Sequence, residues 1–353
     1  VAIAGTHGKT TTTSLVASIM SDANLDPTFI NGGIIKSINS NAQLGQGEYL
    51  IAEADESDKS FLLLQPSISI ITNIEPDHLI NYDNDFGNLK EAFLGFIKNL
   101  PFNGVSIVCG DDKVVNEIKN QFQRNHISYG FDLSNDFVIS DYETDGLKST
   151  FKIKWGSEVL ELTLNMLGRH NVLNASAAAI LCMQEGISTE IIRESLENFM
   201  GIDRRMQILG EKQSKKFRSL YIDDYGHHPT EIKNTIKAVR ESYPDFRLKM
   251  IFQPHRFTRT NDLYKEFVEV LKEVDELTLL DIYSAGENEI EGISSSNIKK
   301  SLEEQGYLSA ELLSDKELVI KKLHEDTDSN DVFIFQGAGD ISSISQYVAK
   351  NFF

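Results

Sequence analysis

The 353-residue chain has room for two ordinary domains of about 150 residues each. Its 41% hydrophobic and 25% charged residues are the profile of a soluble globular protein. A formal charge of −19, from 34 basic and 53 acidic residues, repels polyanions and argues against a general nucleic-acid binder.

No apolar run approaches the roughly 20 residues needed to span a bilayer, and the start carries no signal-peptide pattern. Two cysteines, Cys109 and Cys182, are too few for a disulfide framework and suit a reducing cytoplasm. The chain lacks an initiator Met and opens inside an apparent buried strand, so an N-terminal portion is expected to be absent.

In chain order, "VAIAG" reads as a short buried strand and "KTTTTSLVASIMSDA" as a helix facing a core. Further strands are expected at "YLIAEAD", "SISIITNI" and "GVSIVC", with a helix at "DFGNLKEAFLGFIKNL". Strands alternating with helices predict an α/β domain with a mostly parallel sheet covered on both faces. From about Asp136 to Leu164, "FVISDY", "STFKIKW" and "EVLELTL" predict a small antiparallel addition. The Ala-rich "NVLNASAAAILCMQEGI" predicts a closely packed helix. After "FMGIDRRMQILG" the strand, turn and helix pattern restarts, giving an expected boundary between 1–203 and 204–353. The second α/β domain would hold strands in "SLYIDDY", "RLKMIFQ", "ELTLLDIY" and "DVFIFQ".

The first candidate site is Gly5-Thr6-His7-Gly8-Lys9-Thr10-Thr11, between a strand and a helix start. It supplies the glycines, lysine and hydroxyl of a phosphate loop. It is nevertheless two residues shorter than G-x-x-x-x-G-K-[ST]. A polar strand-to-helix turn is the plain alternative. The second site is "IAEADESD", where Glu53, Asp55, Glu56 and Asp58 crowd four carboxylates together. On strand alternation Glu53 and Asp55 share a face that could meet magnesium, against the alternative of a solvated acidic loop. Asp77 and His78 in "TNIEPDHL" follow the next strand, where ligands of parallel sheets gather. In the second domain His227, His228, His255, Arg256 and Arg259 collect at two strand ends, "DDYGHHP" and "QPHRFTRT". Arginine forks there suit a carboxylate or phosphate. His126, His324 and Trp155 have no such company and receive no role.

Together, "AGTHGKTTTT", "EADESD", "TNIEPDH", "GRHNVLNA", "DDYGHHPTE" and "QPHRFTRT" resemble the Mur ligases, ATP-dependent amide ligases of bacterial cell-wall synthesis. The resemblance covers essentially the whole chain. It implies a central P-loop-type ATPase domain and a Rossmann-like C-terminal domain, without the N-terminal UDP-binding domain of the family. The nearest branch joins L-alanine to the carboxylate of UDP-N-acetylmuramate, with ATP and Mg2+ as cofactors and no nucleic-acid partner. The resemblance places Lys9 on the ATP phosphates, Thr10 and Glu53 on one magnesium and His78 on a second. It places Asn171 and Asn174 along the adenine, and Arg204, Asp224 and Tyr225 on the nucleotide from the second domain. His227, Arg256 and Arg259 would face the muramate carboxyl and the alanine. The family's aspartate two residues after the D-H histidine is Ile80 here. A ligase attaching a peptide to the same sugar nucleotide is the nearest rival. A P-loop ATP-binding regulatory protein without ligase chemistry is the rival of another class.

Overall fold

The computed structural model describes residues 1–214, 217–325 and 329–353. The chain divides into two compact units, Val1–Asp203 and Arg204–Phe353.

Ten strands of the first unit make one sheet: β1 (Ala2–Ala4), β2 (Thr28–Ile35), β3 (Ser40–Gln43), β4 (Leu50–Glu53), β5 (Ile68–Ile71), β6 (Val105–Cys109), β7 (Asn125–Gly130), β8 (Phe137–Asp145), β9 (Lys148–Trp155) and β10 (Glu158–Leu164). Their order is β10-β9-β8-β7-β6-β5-β1-β4-β2-β3. The run from β2 through β4, β1, β5, β6 and β7 to β8 is parallel, while β3, β9 and β10 pair antiparallel. The antiparallel strands expected near the end of this unit therefore extend the main sheet through the β7–β8 pair.

Helices α1 (Lys9–Asp22), α2 (Phe86–Lys98), α3 (Lys113–Ile118), α4 (Arg169–Gln184) and α5 (Thr189–Asn198) complete the unit. Alternation along the strands assigns the two faces. Ile3, Ile70 and Ile107 join one core with α1, α4 and α5. Ala2, Ile71 and Val108 join the other with α2 and α3. A strand buried on both faces reads as a continuous apolar run, which is why "AIA" and "ISII" carry no polar alternation. Helix α1 opens with β-branched threonines, poor helix formers in isolation. Thr10 through Met20 are nonetheless all buried, so packing against the Ala-rich α4 holds this helix rather than local propensity.

In the first unit three strands escaped the sequence reading for physical reasons. β2 is interrupted by Asn31-Gly32-Gly33, β3 is the polar edge segment "SNAQ", and β7 has a polar start, "NH".

The second unit holds β11 (Gln207–Gln213), β12 (Arg218–Asp224), β13 (Arg247–Phe252), β14 (Glu276–Leu279), β15 (Ala310–Leu312) and β16 (Asp331–Gln336). Its helices are α6 (Pro229–Ser242), α7 (Phe257–Asp262), α8 (Tyr264–Leu271), α9 (Ser295–Glu304), α10 (Lys316–Glu325) and α11 (Ser342–Asn351). The sheet order is β11-β12-β16-β13-β14-β15, parallel except for β11. The last strand inserts between β12 and β13, so the loops leaving β12, β16 and β13 are neighbours at one edge.

Phe61, on the short 3-10 turn Ser60–Leu63 after the acidic strand end, is fully buried. Its ring lies 5.2 Å from those of both Phe93 and Phe96 on α2. Phe61→Ala is expected to destabilise the first unit by about 3–5 kcal/mol. Denaturant unfolding checks this, and a loss below about 1 kcal/mol would contradict the packing described.

Candidate nucleotide and substrate sites

In the first unit β1 lies between β4 and β5, so the loops at their carboxyl ends converge. The loop after β5 fastens the one after β1. Thr6 N–H donates to the Asn73 carbonyl at 3.1 Å and His7 N–H to Asn73 Oδ1 at 2.8 Å. Thr72 Oγ1 and Asn73 Nδ2 both donate to the His7 carbonyl, at 2.6 and 2.9 Å. Gly8 enters α1 with φ 84° in the left-handed region. A Cβ there would also stand 2.5 Å from Asn174 Oδ1, so both backbone and space demand glycine.

Lys9 Nζ donates to the Gly5 carbonyl at 2.6 Å, the Thr6 carbonyl at 3.3 Å and Glu56 Oε2 at 2.7 Å. Glu56 is only 2% exposed, and its carbonyl accepts from Tyr82 Oη at 2.5 Å. A carboxylate buried this deeply requires a cation beside it, and Lys9 is that cation. Nothing in the spacing of "EADESD" marked Glu56 as the lysine partner.

The four carboxylates separate into two kinds. β4 ends at Glu53, so strand alternation stops there. Asp55, expected to share the face of Glu53, is exposed and accepts from Ser57 N–H at 2.9 Å, while Asp58 likewise accepts from Ser60 N–H. Those two carboxylates cap local turns. Glu53 instead comes to Thr10. A Cβ on Gly32 would stand 2.9 Å from Glu53 Oε2 and 3.2 Å from Thr10 Oγ1. A carboxylate and a hydroxyl that both flank Gly32 are the hard-oxygen donors that Mg2+ takes, so these residues fit the ion. His78 sits at φ 56°, at the start of the 3-10 turn Leu79–Tyr82, with Nε2 3.5 Å from Asp77 Oδ2. No hydrogen bond or ion pair joins it to Thr10 or Glu53 among the described residues. Ile80 is 80% exposed, so the position departing from the family pattern has no packing role.

Asn171 and Asn174 are buried on α4. Asn171 Nδ2 donates to the Leu167 carbonyl at 2.8 Å, and Asn174 lies against Gly8. Thr11 is buried in the first turn of α1.

In the second unit Asp224 is a hub. Its Oδ1 accepts from Gly226 N–H, Thr235 Oγ1 and Gln336 Nε2, and its Oδ2 from Met206 N–H. The carboxylate thus shapes the loop after β12. Tyr225 carries the guanidinium groups of Arg204 and Arg205 over its ring, at 4.9 and 5.1 Å. His228 caps α6: its Nδ1 accepts from Thr230 N–H, and Glu231 Oε2 accepts from the N–H groups of His227 and His228.

Of the remaining basic residues, His227, His255 and Arg259 lie together. The His227 and His255 rings lie 5.8 Å apart, and Arg259 Nη1 lies 3.3 Å from His255 Nδ1. Arg256 is exposed, with φ 72°, and begins α7. Sequence reasoning missed Tyr283, whose ring stacks on His255 at 5.5 Å and 9° and whose carbonyl accepts from Arg256 N–H. Hydrogen bonding assigns opposite tautomers to the two histidines. His227 Nδ1 faces the Tyr225 carbonyl at 3.3 Å and so carries its proton, leaving Nε2 as acceptor. An arginine can only donate, so His255 Nδ1 accepts and Nε2 bears the proton. Burial pushes the His227 pKa down to about 4; Glu231 opposes this, while Arg259 and Arg205 add to it. Burial, with Arg259 and Arg256 adding, likewise pushes His255 down to about 4.

Each unit is thus an α/β layer structure with its polar clusters at the carboxyl ends of parallel strands, the ligand-bearing edge of such folds. The family described as Mur ligase middle domain matches residues 3–182, and that described as Mur ligase, glutamate ligase domain, matches residues 204–339. The chain belongs to the Mur ligase family of ATP-dependent ligases. It is similar to the UDP-N-acetylmuramate-alanine ligase MurC of Thermotoga maritima, with 28% identity, 100% of this chain and 75% of that one covered, and TM-score 0.82. A murein peptide ligase of Psychrobacter arcticus is 23% identical, over 99% of this chain and 76% of that one, with TM-score 0.69. MurF of Thermotoga maritima, in complex with ADP, is 17% identical, over 99% and 79%, with TM-score 0.75. The last two likenesses show the fold. Among the described residues no helix is long and apolar enough to cross a membrane.

The two neutral imidazoles yield a pH prediction. A folded pKa of about 4 lies below the ordinary 6.5, so the unfolded chain binds protons first as pH falls. Each histidine therefore withdraws stability between pH 6.5 and 4, and none above that window. NMR titration should find both rings neutral at pH 5.5, roughly one unit below the ordinary histidine pKa. Midpoints near the ordinary value would contradict the burial described.

Proposed function

We propose that the chain joins L-alanine to the carboxylate of UDP-N-acetylmuramate in peptidoglycan precursor synthesis, in the cytoplasm. The observation that carries this reading is the 28% identity to an alanine-adding ligase across the whole chain. Residues 1–203 serve as the central ATP-binding domain and 204–353 as the C-terminal ligase domain.

A carboxylate resists amide formation because oxide is a poor leaving group. Phosphorylation by ATP gives an acyl phosphate, the alanine amine attacks it, and phosphate departs as the amide forms. Lys9, held against Glu56, and the loop Gly5–Thr11 hold the ATP phosphates. Thr10 and Glu53 would hold magnesium, and His78 a second ion. Magnesium, when bound, would neutralise phosphate charge and favour in-line geometry. Asn171 and Asn174 flank the nucleotide. Arg256 and Arg259 pair with substrate carboxylate as charged forks. The attacking amine must be uncharged, and the acceptor Nε2 of His227 steers its proton.

In the full-length protein, phosphate release should require UDP-N-acetylmuramate and L-alanine together. Release with a tripeptide in place of alanine, and none with alanine, would favour the peptide-adding reading. Lys9→Ala should abolish most turnover in a folded protein, and near-normal release would remove Lys9 from the mechanism. Arg259→Ala should lower kcat/KM roughly ten- to a hundredfold, the loss of one charge-assisted hydrogen bond, with ATP binding kept. Unchanged kinetics would remove Arg259 from the substrate site.

A further inference from the structure

Strand β2 pairs with β4 as far as Ile30, opposite Ala52. Its pairing with β3 is irregular between Ile30 and Ile35, so Asn31-Gly32-Gly33 bulges beside the end of β4. Gly32 N–H donates to Glu53 Oε1 at 2.9 Å. A Cβ on Gly32 would enter the space between the Glu53 carboxylate and the Thr10 hydroxyl, and one on Gly33 would stand 2.9 Å from Thr10 Cγ2. Gly32 is not among the residues with positive φ, so its backbone does not demand glycine. What glycine provides there is close approach. Asn31, 5% exposed, donates from Nδ2 to Ser14 Oγ at 2.7 Å and to the Gly33 carbonyl at 2.8 Å. Ser14 in turn donates to the Thr10 carbonyl at 2.8 Å. The bulge therefore grips both Glu53 and the first turn of α1.

Building on the reading of Thr10 and Glu53 as cation ligands, we propose that Asn31-Gly32-Gly33 is the positioning element of that cation site. The Gly32 N–H aims the Glu53 carboxylate, and the missing side chain keeps the space between Glu53 and Thr10 open for the ion. Partners that orient a metal ligand typically change metal affinity when removed.

The test uses the full chain with a non-hydrolysable ATP analogue and Mn2+, free Mn2+ being followed by electron paramagnetic resonance. For Gly32→Ala the half-saturating Mn2+ concentration should rise roughly 10- to 100-fold, while nucleotide affinity in EDTA stays within about twofold. A folded Gly32→Ala protein with unchanged Mn2+ dependence overturns the proposal. So does an equal loss of nucleotide affinity without metal, which marks general distortion. If the variant fails to fold, the unmodified chain supplies the answer by NMR. Sub-stoichiometric Mn2+ should broaden the Gly32 amide as early as that of Thr10. A Gly32 amide that stays sharp after Thr10 is lost overturns it. Absence of any Mn2+ binding by the unmodified chain, with nucleotide present, instead removes the underlying reading of Thr10 and Glu53.

Discussion

The contact between the Lys9 ammonium and the buried Glu56 carboxylate ties together the polar edge of the first unit. It joins the loop after β1 to the loop after β4, and the Gly5 and Thr6 carbonyls share the same amine. Neither charge is tolerable alone in such a place: removing one partner of a buried pair costs about 3–5 kcal/mol because the other is stranded. The loop after β5 is fastened to the same structure through Thr72 and Asn73. The Gly5–Thr10 loop is therefore fixed by contacts within the unit itself, with its positive charge held on an internal carboxylate. In a chain of net charge −19, holding a cation at this spot is a specific local arrangement and not a general surface property.

The second unit solves a different problem with neutral groups. Its Asp224 carboxylate is consumed by four donors and serves loop shape. The imidazoles of His227 and His255 are kept uncharged beside arginines, one presenting an acceptor and the other a donor. Cationic guanidinium groups and neutral imidazole rings thus stand side by side. Protonated histidines there would add repulsion with Arg259 and remove the acceptor at His227.

The parallel sheets were legible because strands buried on both faces leave largely apolar runs, as in "AIA", "ISII" and "DVFIFQ". The clusters at strand ends were legible because chemistry-bearing residues fall directly after those runs. What escaped notice depends on contacts between distant segments. Glu56 became the partner of Lys9, and Asp55 a turn cap, because β4 stops at Glu53 and alternation no longer applies. Tyr283 reaches His255 only through pairing of the loops after β13 and β14. The Asn31-Gly32-Gly33 interruption reads as a strand breaker, although a glycine inside a strand also signals close backbone approach.

The central claim is that the edge formed by β1, β4 and β5 holds a nucleotide phosphate group and its cation. The most direct measurement is a crystal structure with a non-hydrolysable ATP analogue and Mn2+, using the anomalous signal of manganese. Expected is an anomalous peak coordinated by Thr10 Oγ1 and Glu53, with Lys9 Nζ within hydrogen-bond reach of phosphate oxygens. A nucleotide bound elsewhere, or phosphate in the loop beyond the reach of Lys9 Nζ, would contradict it.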